Sequence, residues 1–399
     1  MLSFFWLIVY IFINLTSVLW LGSLAINALT GLDLFYGLVL LAIFSLAYSL
    51  SGGLKAVAMT DAVQVILLIF GGLAVSFIAL NIISESNGVI EGMKIVMDKL
   101  PEKFDMVLSP DNPSYNDLPG VWILLGLGVW IGHFFYWGFN QYITQRALAA
   151  KDIKEAQKGV MFAAYLKLLM PIVIVLPGIC AAILFPMLEK SDQAYPTMMS
   201  LLPNGLLGLT FAALIAAIVS SLASMSNSIS TIFTMDIYKY FKNDNVSQSN
   251  LIQVGRITVV LSLIIATLVA KPLLGSFESI FQYIQNFTGY FSPGIVVIFL
   301  VALFWKKATS MSVLVAALIS LISSILLSIN FPELPFIHRM TMVFILSALG
   351  CIATTHLQGY KDQEKAIDLT TVNFSTSKAF NLNTIIIVYA LVCIYVAFA

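Results

Sequence analysis

The chain is 399 residues long, 60% hydrophobic and only 10% charged, and its twenty basic residues are balanced by twenty acidic ones. Soluble domains carry about 25% charged residues, and no water-soluble fold of this size hides so much apolar surface, so the composition calls for lipid as solvent. The even balance leaves no electrostatic footprint for a nucleic-acid partner. Cys180, Cys351 and Cys393 lie far apart, each in an apolar run, so they form neither a metal spacing nor a disulfide framework and read as small buried hydrophobes.

A spanning helix takes roughly 20 apolar residues. Eleven stretches qualify in chain order: about 2–29, 33–51, 56–84, 119–145, 157–188, 204–237, 252–274, 277–304, 309–330, 336–355 and 381–399. They are long and continuous, without the short alternating segments of a membrane barrel, so the expected class is all-α and integral to the membrane. The longest polar connections, 85–118 and 356–380, hold no soluble domain. The first stretch lacks the basic start and small-residue cleavage site of a secretory signal.

Lysine and arginine set the direction of the spans. Alternate connections hold thirteen of them: Lys55, Arg146, Lys151, Lys154, Lys158, Lys239, Lys242, Arg256, Lys306, Lys307, Lys361, Lys365 and Lys378. The other set holds six: Lys94, Lys99, Lys103, Lys190, Lys271 and Arg339. The richer set is expected on the cytoplasmic side, so the first span runs from inside to outside. The twentieth, Lys167, falls inside a span.

Ionisable groups inside spans are costly, and each one asks for a partner or a function. Asp61 opens the third span with Gln64 on the same helix face; a wet cytoplasmic end is the plainer reading. The fourth span, GLGVWIGHFFYWGFNQY, carries His133 among Trp130, Tyr136 and Trp137, with glycines at 126, 128, 132 and 138. Those glycines suit either close helix packing or an unwound, substrate-binding helix. Aromatic faces with a few hydrogen-bonding groups match a sugar ring, and equally an interfacial belt. Lys167 lies in the fifth span ahead of Pro171, where its stem could snorkel to the cytoplasmic surface. In the sixth span Ala217, Ser221, Ser224 and Ser228 form one helical stripe, which is either a packing seam or, with Ser220, a set of oxygens for a hard cation such as sodium. In the eighth span Gln282 and Gln285 share a face between Phe281 and Phe287, and buried amides want partners. Thr288, Gly289 and Pro293 predict a break in that helix.

These segments resemble the sodium:solute symporter family, and within it the bacterial sodium/glucose (galactose) cotransporters. The stretches that carry the resemblance are NLTSVLWLGSLA at 14–25, TDAVQV at 60–65, FYWGFNQYITQRALAAK at 135–151, FAAYLKLLMP at 162–171, AAIVSSLASMSNSISTIFTMDIYK at 216–239, FQYIQNFTGYFSPG at 281–294 and LFWKK at 303–307. The resemblance implies an inverted-repeat fold of five plus five helices with a midplane site, and a sodium gradient driving sugar uptake by alternating access. It implies a multi-pass protein of the cell membrane and not an enzyme. Its partners would be a small sugar, a co-transported sodium ion and the lipid bilayer, with no nucleic acid.

Carried over residue by residue, the resemblance implies sodium ligands at Ser220, Ser221 and the Ala217 carbonyl. It implies sugar contacts at Lys167, Gln285, Tyr136, His133 and Trp137. Tyr136 and Phe281 would be inner and outer gates, and Asp61 a coupling acid. His133 stands where the bacterial galactose transporters have asparagine, and Phe135 where they have tyrosine, which leaves the preferred sugar open. The resemblance places residues 1–84 as the last three helices of the first repeat, 119–304 as the complete second repeat and 305–399 as accessory helices. It also implies that family helices ahead of Met1 are missing, so the chain as written is expected to be N-terminally truncated, with an incomplete sodium site and no coupled transport. Three other readings remain: a symporter for an inositol, sialic acid or amino acid, a non-functional fragment, and a transporter-like membrane sensor. The last would need a signalling domain that the sequence does not carry.

Overall fold

A computed structural model describes residues 2–112, 114–115, 120, 126–242, 246–277, 279–364 and 366–398, with the side chains of 51–58 and 371 left aside. The described secondary structure is helical. The start of the expected fourth span (119 and 121–125), the side chain of Lys55 and the whole of Lys365 fall outside this set. Nine helices are long and apolar enough to cross a membrane, by length and composition, among the described residues.

In chain order the main helices are α1 (Leu2–Thr30), α2 (Leu34–Ile83), α3 (Val89–Lys99), α4 (Leu127–His133), α5 (Gln141–Leu148), α6 (Ile153–Leu184), α7 (Ala194–Met199), α8 (Asn204–Phe241), α9 (Gln248–Leu274), α10 (Ile280–Phe304), α11 (Ser310–Asn330), α12 (Phe336–Leu357) and α13 (Lys378–Ala397). Their ends follow from local chemistry. Gly31 takes the left-handed conformation (φ 73°) that stops α1, its N–H donating to the Asn27 carbonyl. The Asp33 carboxylate accepts from the Phe35 N–H and starts α2. Thr309 and Ser312 cap each other reciprocally at the start of α11, and Ser377 caps α13.

Backbone helix runs through Leu34–Ile83, where the sequence predicts two spans. A straight helix would separate Tyr48 from Thr60 by about 18 Å, yet their hydroxyls are hydrogen-bonded. Ser49 lies against Asn227, Asp61 against Ser220 and Gly71 against Thr210, so the second arm of α2 descends α8. The run therefore doubles back, and the two predicted spans are its arms: Leu34–Leu50, a shorter apolar helix, and Met59–Ile83.

The fourth predicted span is also not one rod. It is α4, a π-helical turn over Phe134–Gly138, an extended Asn140, and α5. The break predicted at Thr288–Pro293 is not found: α10 stays helical from Ile280 to Phe304 with Pro293 inside it. A proline removes one helical N–H and crowds the preceding turn. Here the helix carries that cost at the Gly289 carbonyl and continues unbroken to Phe304. Cys180 and Cys351 are buried as expected, whereas Cys393 is exposed, because α13 buries only Ile387.

The chain forms two compact units. Unit 1 (residues 1–104 and 166–284) has a core of Val75, Ala79 and Leu80 from α2, Val96 from α3, Leu176, Cys180 and Ala181 from α6, and Met198 and Met199 from α7. Close backbone approach there depends on glycine: a Cβ on Gly92 would sit 2.1 Å from the Leu80 carbonyl oxygen, and one on Gly71 2.4 Å from Thr210. Unit 2 (residues 105–165 and 285–399) packs Val297, Ala316 and Cys351 from α10, α11 and α12, and α4 crosses α12 where Gly128 meets the Ile337 carbonyl. Small residues are the usual means of bringing membrane helices together.

A Cβ on Gly128 would lie 2.2 Å from that Ile337 oxygen, while Gly159 in α6 faces open space. Gly128→Ala is expected to lower stability by about 1–3 kcal/mol. Gly159→Ala should leave it unchanged or raise it by up to about 1 kcal/mol. Thermal unfolding of the detergent-purified chain separates the two.

Candidate functional site

In unit 1 the polar candidates converge on the contact between α2 and α8. Ser220, 2% exposed, donates its hydroxyl proton to the Asp61 carboxylate. The Ser220 carbonyl accepts in turn from the Ser224 hydroxyl at 2.9 Å. A hydroxyl that gives its proton to a carboxylate leaves its lone pairs free, so Asp61 and Ser220 together present hard oxygens to a cation. Ser221 and Ala217 are half-buried on the neighbouring stripe of α8. The hydroxyls of Ser226 and Ser228 are fully buried with no hydrogen-bond partner among the described residues. The packing-seam and ion-site readings of this serine-rich helix are therefore compatible: the seam brings Asp61 to the serines.

Sequence reasoning missed the flanks of this contact. Tyr48 and Thr60 pair across the two arms of α2, and the Ser49 hydroxyl donates to the Asn227 side-chain carbonyl at 2.7 Å. The available signal was Asn227, an amide inside an apolar span that requires a partner. Its pairing with a serine 178 positions away is tertiary and has no local signature.

In unit 2 the π-helical turn at Phe134–Gly138 fans out the aromatic residues. Tyr136 stands edge-on to Trp137 (5.0 Å between ring centroids) and to Tyr142 (6.2 Å), and its hydroxyl bonds that of Tyr142 at 2.9 Å. His133 lies edge-on to Trp130 at 6.3 Å. Tyr136 and Trp137 remain 38% and 49% exposed, while Phe135 is buried. Phe139 stacks on Phe299 at 4.5 Å, which anchors the break to α10. A π-helical turn widens the backbone locally and is common at functional sites. Gly138 faces open space beside this cluster, whereas Gly128 is a packing glycine.

Lys167 occupies the last turn of the first segment of α6, just ahead of the π-helical turn Pro171–Val175. Lys167 and Phe281 belong to unit 1, and Gln285, Tyr136, His133 and Trp137 to unit 2. Phe281 is 64% exposed at the start of α10, and Gln285 is half-buried one turn on.

The start of α10 is held by a short segment that sequence reading passed over. The Lys190 ammonium donates to the carbonyls of Gly275 (2.9 Å) and Phe277 (3.4 Å) at the end of α9, and lies 5.9 Å from the Trp20 ring centroid. Two residues on, the Asp192 carboxylate accepts from the Ile280 N–H at 2.9 Å and caps α10. Phe277 packs on Tyr283, whose hydroxyl donates to the Phe12 carbonyl at 3.1 Å. One loop thus fixes the end of α9 and the beginning of α10. Burial pushes the Asp192 carboxyl above its ordinary range, against the opposing pull of the Ile280 N–H and Lys190.

The sodium:solute symporter family model matches residues 1–320. A sodium/glucose cotransporter from Vibrio parahaemolyticus is 43% identical over all of this chain and 76% of its own length. The human sodium/myo-inositol cotransporter 2 is 32% identical over 84% of this chain, which spans only 53% of that relative. A solved structure of a Na⁺-coupled sialic acid symporter, substrate-bound and outward-open, superposes with a TM-score of 0.73 at 22% identity, covering 89% of this chain and 73% of that one. That likeness establishes the same inverted-repeat transporter fold.

The raised Asp192 carboxyl resists ionisation in the folded chain, so its contribution to stability is present at acid pH and is lost as pH rises through its elevated value. Asp192→Asn keeps an acceptor for Ile280 without that loss. Its melting temperature should gain on the parent's as pH rises from about 4 to about 7. Asp192→Ala removes the cap and is expected to cost about 0.5–2 kcal/mol at every pH. Parallel pH profiles for the parent and the Asn variant would contradict this.

Proposed function

This chain belongs to the sodium:solute symporter family, and from that premise we propose that it is a secondary active transporter in which sodium entry drives uptake of a neutral, glucose- or galactose-like sugar by alternating access. The observation that carries the reading is the contact between Asp61 and Ser220, where α2 meets the serine-rich part of α8. An anionic oxygen beside neutral hydroxyl oxygens suits a monovalent hard cation, which needs few charges and no soft ligands. In this proposal Ser220, Ser221 and the Ala217 carbonyl hold the ion, and Asp61 links its occupancy to the movement of α2 against α8.

The sugar half rests on the aromatic turn and on the relatives. Tyr136 presents a partly open ring face for the apolar face of a sugar, with Trp137 and His133 beside it. Lys167 and Gln285 supply donors, and the Gln285 amide also an acceptor, for ring hydroxyls. Phe281 at the mouth of α10 and Tyr136 serve as outer and inner gates. The name of the Vibrio relative favours glucose. The human inositol relative favours a second polyhydroxylated ring that the same groups would bind. In the proposed arrangement, residues 1–84 supply the last three helices of the first repeat, 119–304 the complete second repeat and 305–399 accessory helices.

The coupling is energetically adequate. One sodium ion crossing about 100 mV releases about 2.3 kcal/mol. At about 1.4 kcal/mol per tenfold, that sustains roughly a fifty-fold sugar gradient.

In proteoliposomes, an inward sodium gradient should stimulate uptake of radiolabelled glucose or galactose, and an absence of stimulation would instead uphold the sequence expectation of an incomplete sodium site. Unlabelled myo-inositol should compete more weakly than the transported sugar. Ser220→Ala and Asp61→Asn should raise the sodium concentration for half-activation by about tenfold, the effect of losing roughly 1.4 kcal/mol of ligand energy. Unchanged sodium activation in both variants would overturn the ion assignment. Gln285→Ala should weaken apparent sugar affinity by about fivefold, on the order of 1 kcal/mol for one neutral hydrogen bond, with sodium binding intact. Equal loss of sugar and sodium affinity would mark Gln285 as structural.

A further inference from the structure

Unit 2 contains a cleft between α10, α11 and α12 that lies outside the proposed transport machinery. It is a shallow cleft, open to the outside, and its polar lining is Asn286, Tyr290, Ser324, Ser328 and Arg339. The hydroxyls are held in place: Tyr290 bonds Ser328 at 2.6 Å, and Ser324 donates to the Tyr290 carbonyl at 3.2 Å. Arg339 sits in the first turn of α12, half-buried, inside a helix apolar enough to span the membrane. Among the described residues its guanidinium has no ion pair and no hydrogen bond, and the Asn286 amide has no partner either. The acid nearest Arg339 in sequence, Glu333, is exposed in the preceding loop and makes no described ion pair.

A guanidinium does not lose its charge at any accessible pH. Half-buried at the edge of a hydrocarbon layer, it is costly unless an anion meets it. The described residues supply none, and the cleft is rich in donors: the five N–H groups of Arg339, the NH₂ of Asn286 and the hydroxyls. Walls of Phe336, Met340 and Val343 keep the rest of the space apolar. We propose that this cleft is an oxyanion site, in which the Arg339 fork takes two oxygens of a phosphate or carboxylate while Asn286 and the Tyr290–Ser328 pair bind the remaining acceptor positions. The oxyanion could be carried by an anionic lipid, its tails lying along the exposed Ile322, Leu326 and Ile329 of α11, or by a small free solute.

Two probes distinguish these sources on the full chain, purified and delipidated in neutral detergent. One is inorganic phosphate against chloride at matched ionic strength. The other is phosphatidylglycerol against phosphatidylcholine in mixed micelles. Thermal unfolding and native mass spectrometry read binding. The expected result is a rise in melting temperature with phosphate or with phosphatidylglycerol, and about a tenfold or greater loss of affinity in Arg339→Gln. Arg339→Lys, which keeps the charge but not the fork, should retain part of the binding. A response to phosphatidylglycerol alone assigns a lipid head group, and a response to phosphate assigns a free anion. Ser328→Ala, a small change in the same cleft, should weaken binding about threefold and serves if the Arg339 variants do not fold. No response to either probe, or equal responses in the parent and the cleft variants, overturns the proposal.

Discussion

A hydrocarbon solvent accepts and donates no hydrogen bonds, so a polar group in a span is costly unless a partner meets it. Helical backbone is the first consequence, and the hydroxyls are the second. Ser224, Thr231, Thr258, Thr267, Thr341, Thr354 and Thr355 each donate to the carbonyl four residues back. Such bonds let a polar side chain lie in an apolar helix at little cost. They also set apart the hydroxyls that behave otherwise. Ser220 turns to Asp61, Ser49 to Asn227 and Tyr290 to Ser328, and each leaves its own helix to tie two elements together.

The same constraint makes helix irregularity informative. π-helical turns interrupt α1 at Val9–Leu15, the fourth predicted span at Phe134–Gly138, α6 at Pro171–Val175 and α8 at Ile232–Tyr238. Each displaces carbonyls from regular register, and in lipid that is tolerated where neighbouring groups take up the freed oxygens. Two of the four lie at or beside candidate sugar residues: Tyr136 and Trp137 within one turn, and Lys167 just before another.

Much of this was legible in the sequence, and the boundary has a physical basis. Hydropathy located the spans because apolar length is a local property: the last was expected at 381–399 and is Lys378–Ala397. The glycine-interrupted fourth span was legible for the same reason. Pro293 misled, because a proline raises the local cost of a helix without forbidding it, and packed membrane helices tolerate that cost. Cys393 misled because an apolar run does not tell the inside of a helix pack from its lipid face. The Asp61–Ser220 contact joins residues 159 apart. The residue types were suspected singly, and their meeting was visible only in three dimensions. The Lys190–Asp192 loop gave no sequence signal, since two charges in a polar connection read as solvated.

That loop has an electrostatic consequence. The carbonyl end of α9 carries about half a negative charge and the N–H end of α10 about half a positive one. Lys190 sits on the first and Asp192 on the second. The four charges sum to nothing and alternate over a short distance, so they form a quadrupole whose potential dies away faster than that of an ion or a dipole. At distances large against their separation, such paired charges act on a cation more weakly than a single ion would. The start of α10 thus carries paired charges, and in the proposed transport cycle the pull on an arriving ion would fall to Asp61, on the contact of α2 with α8.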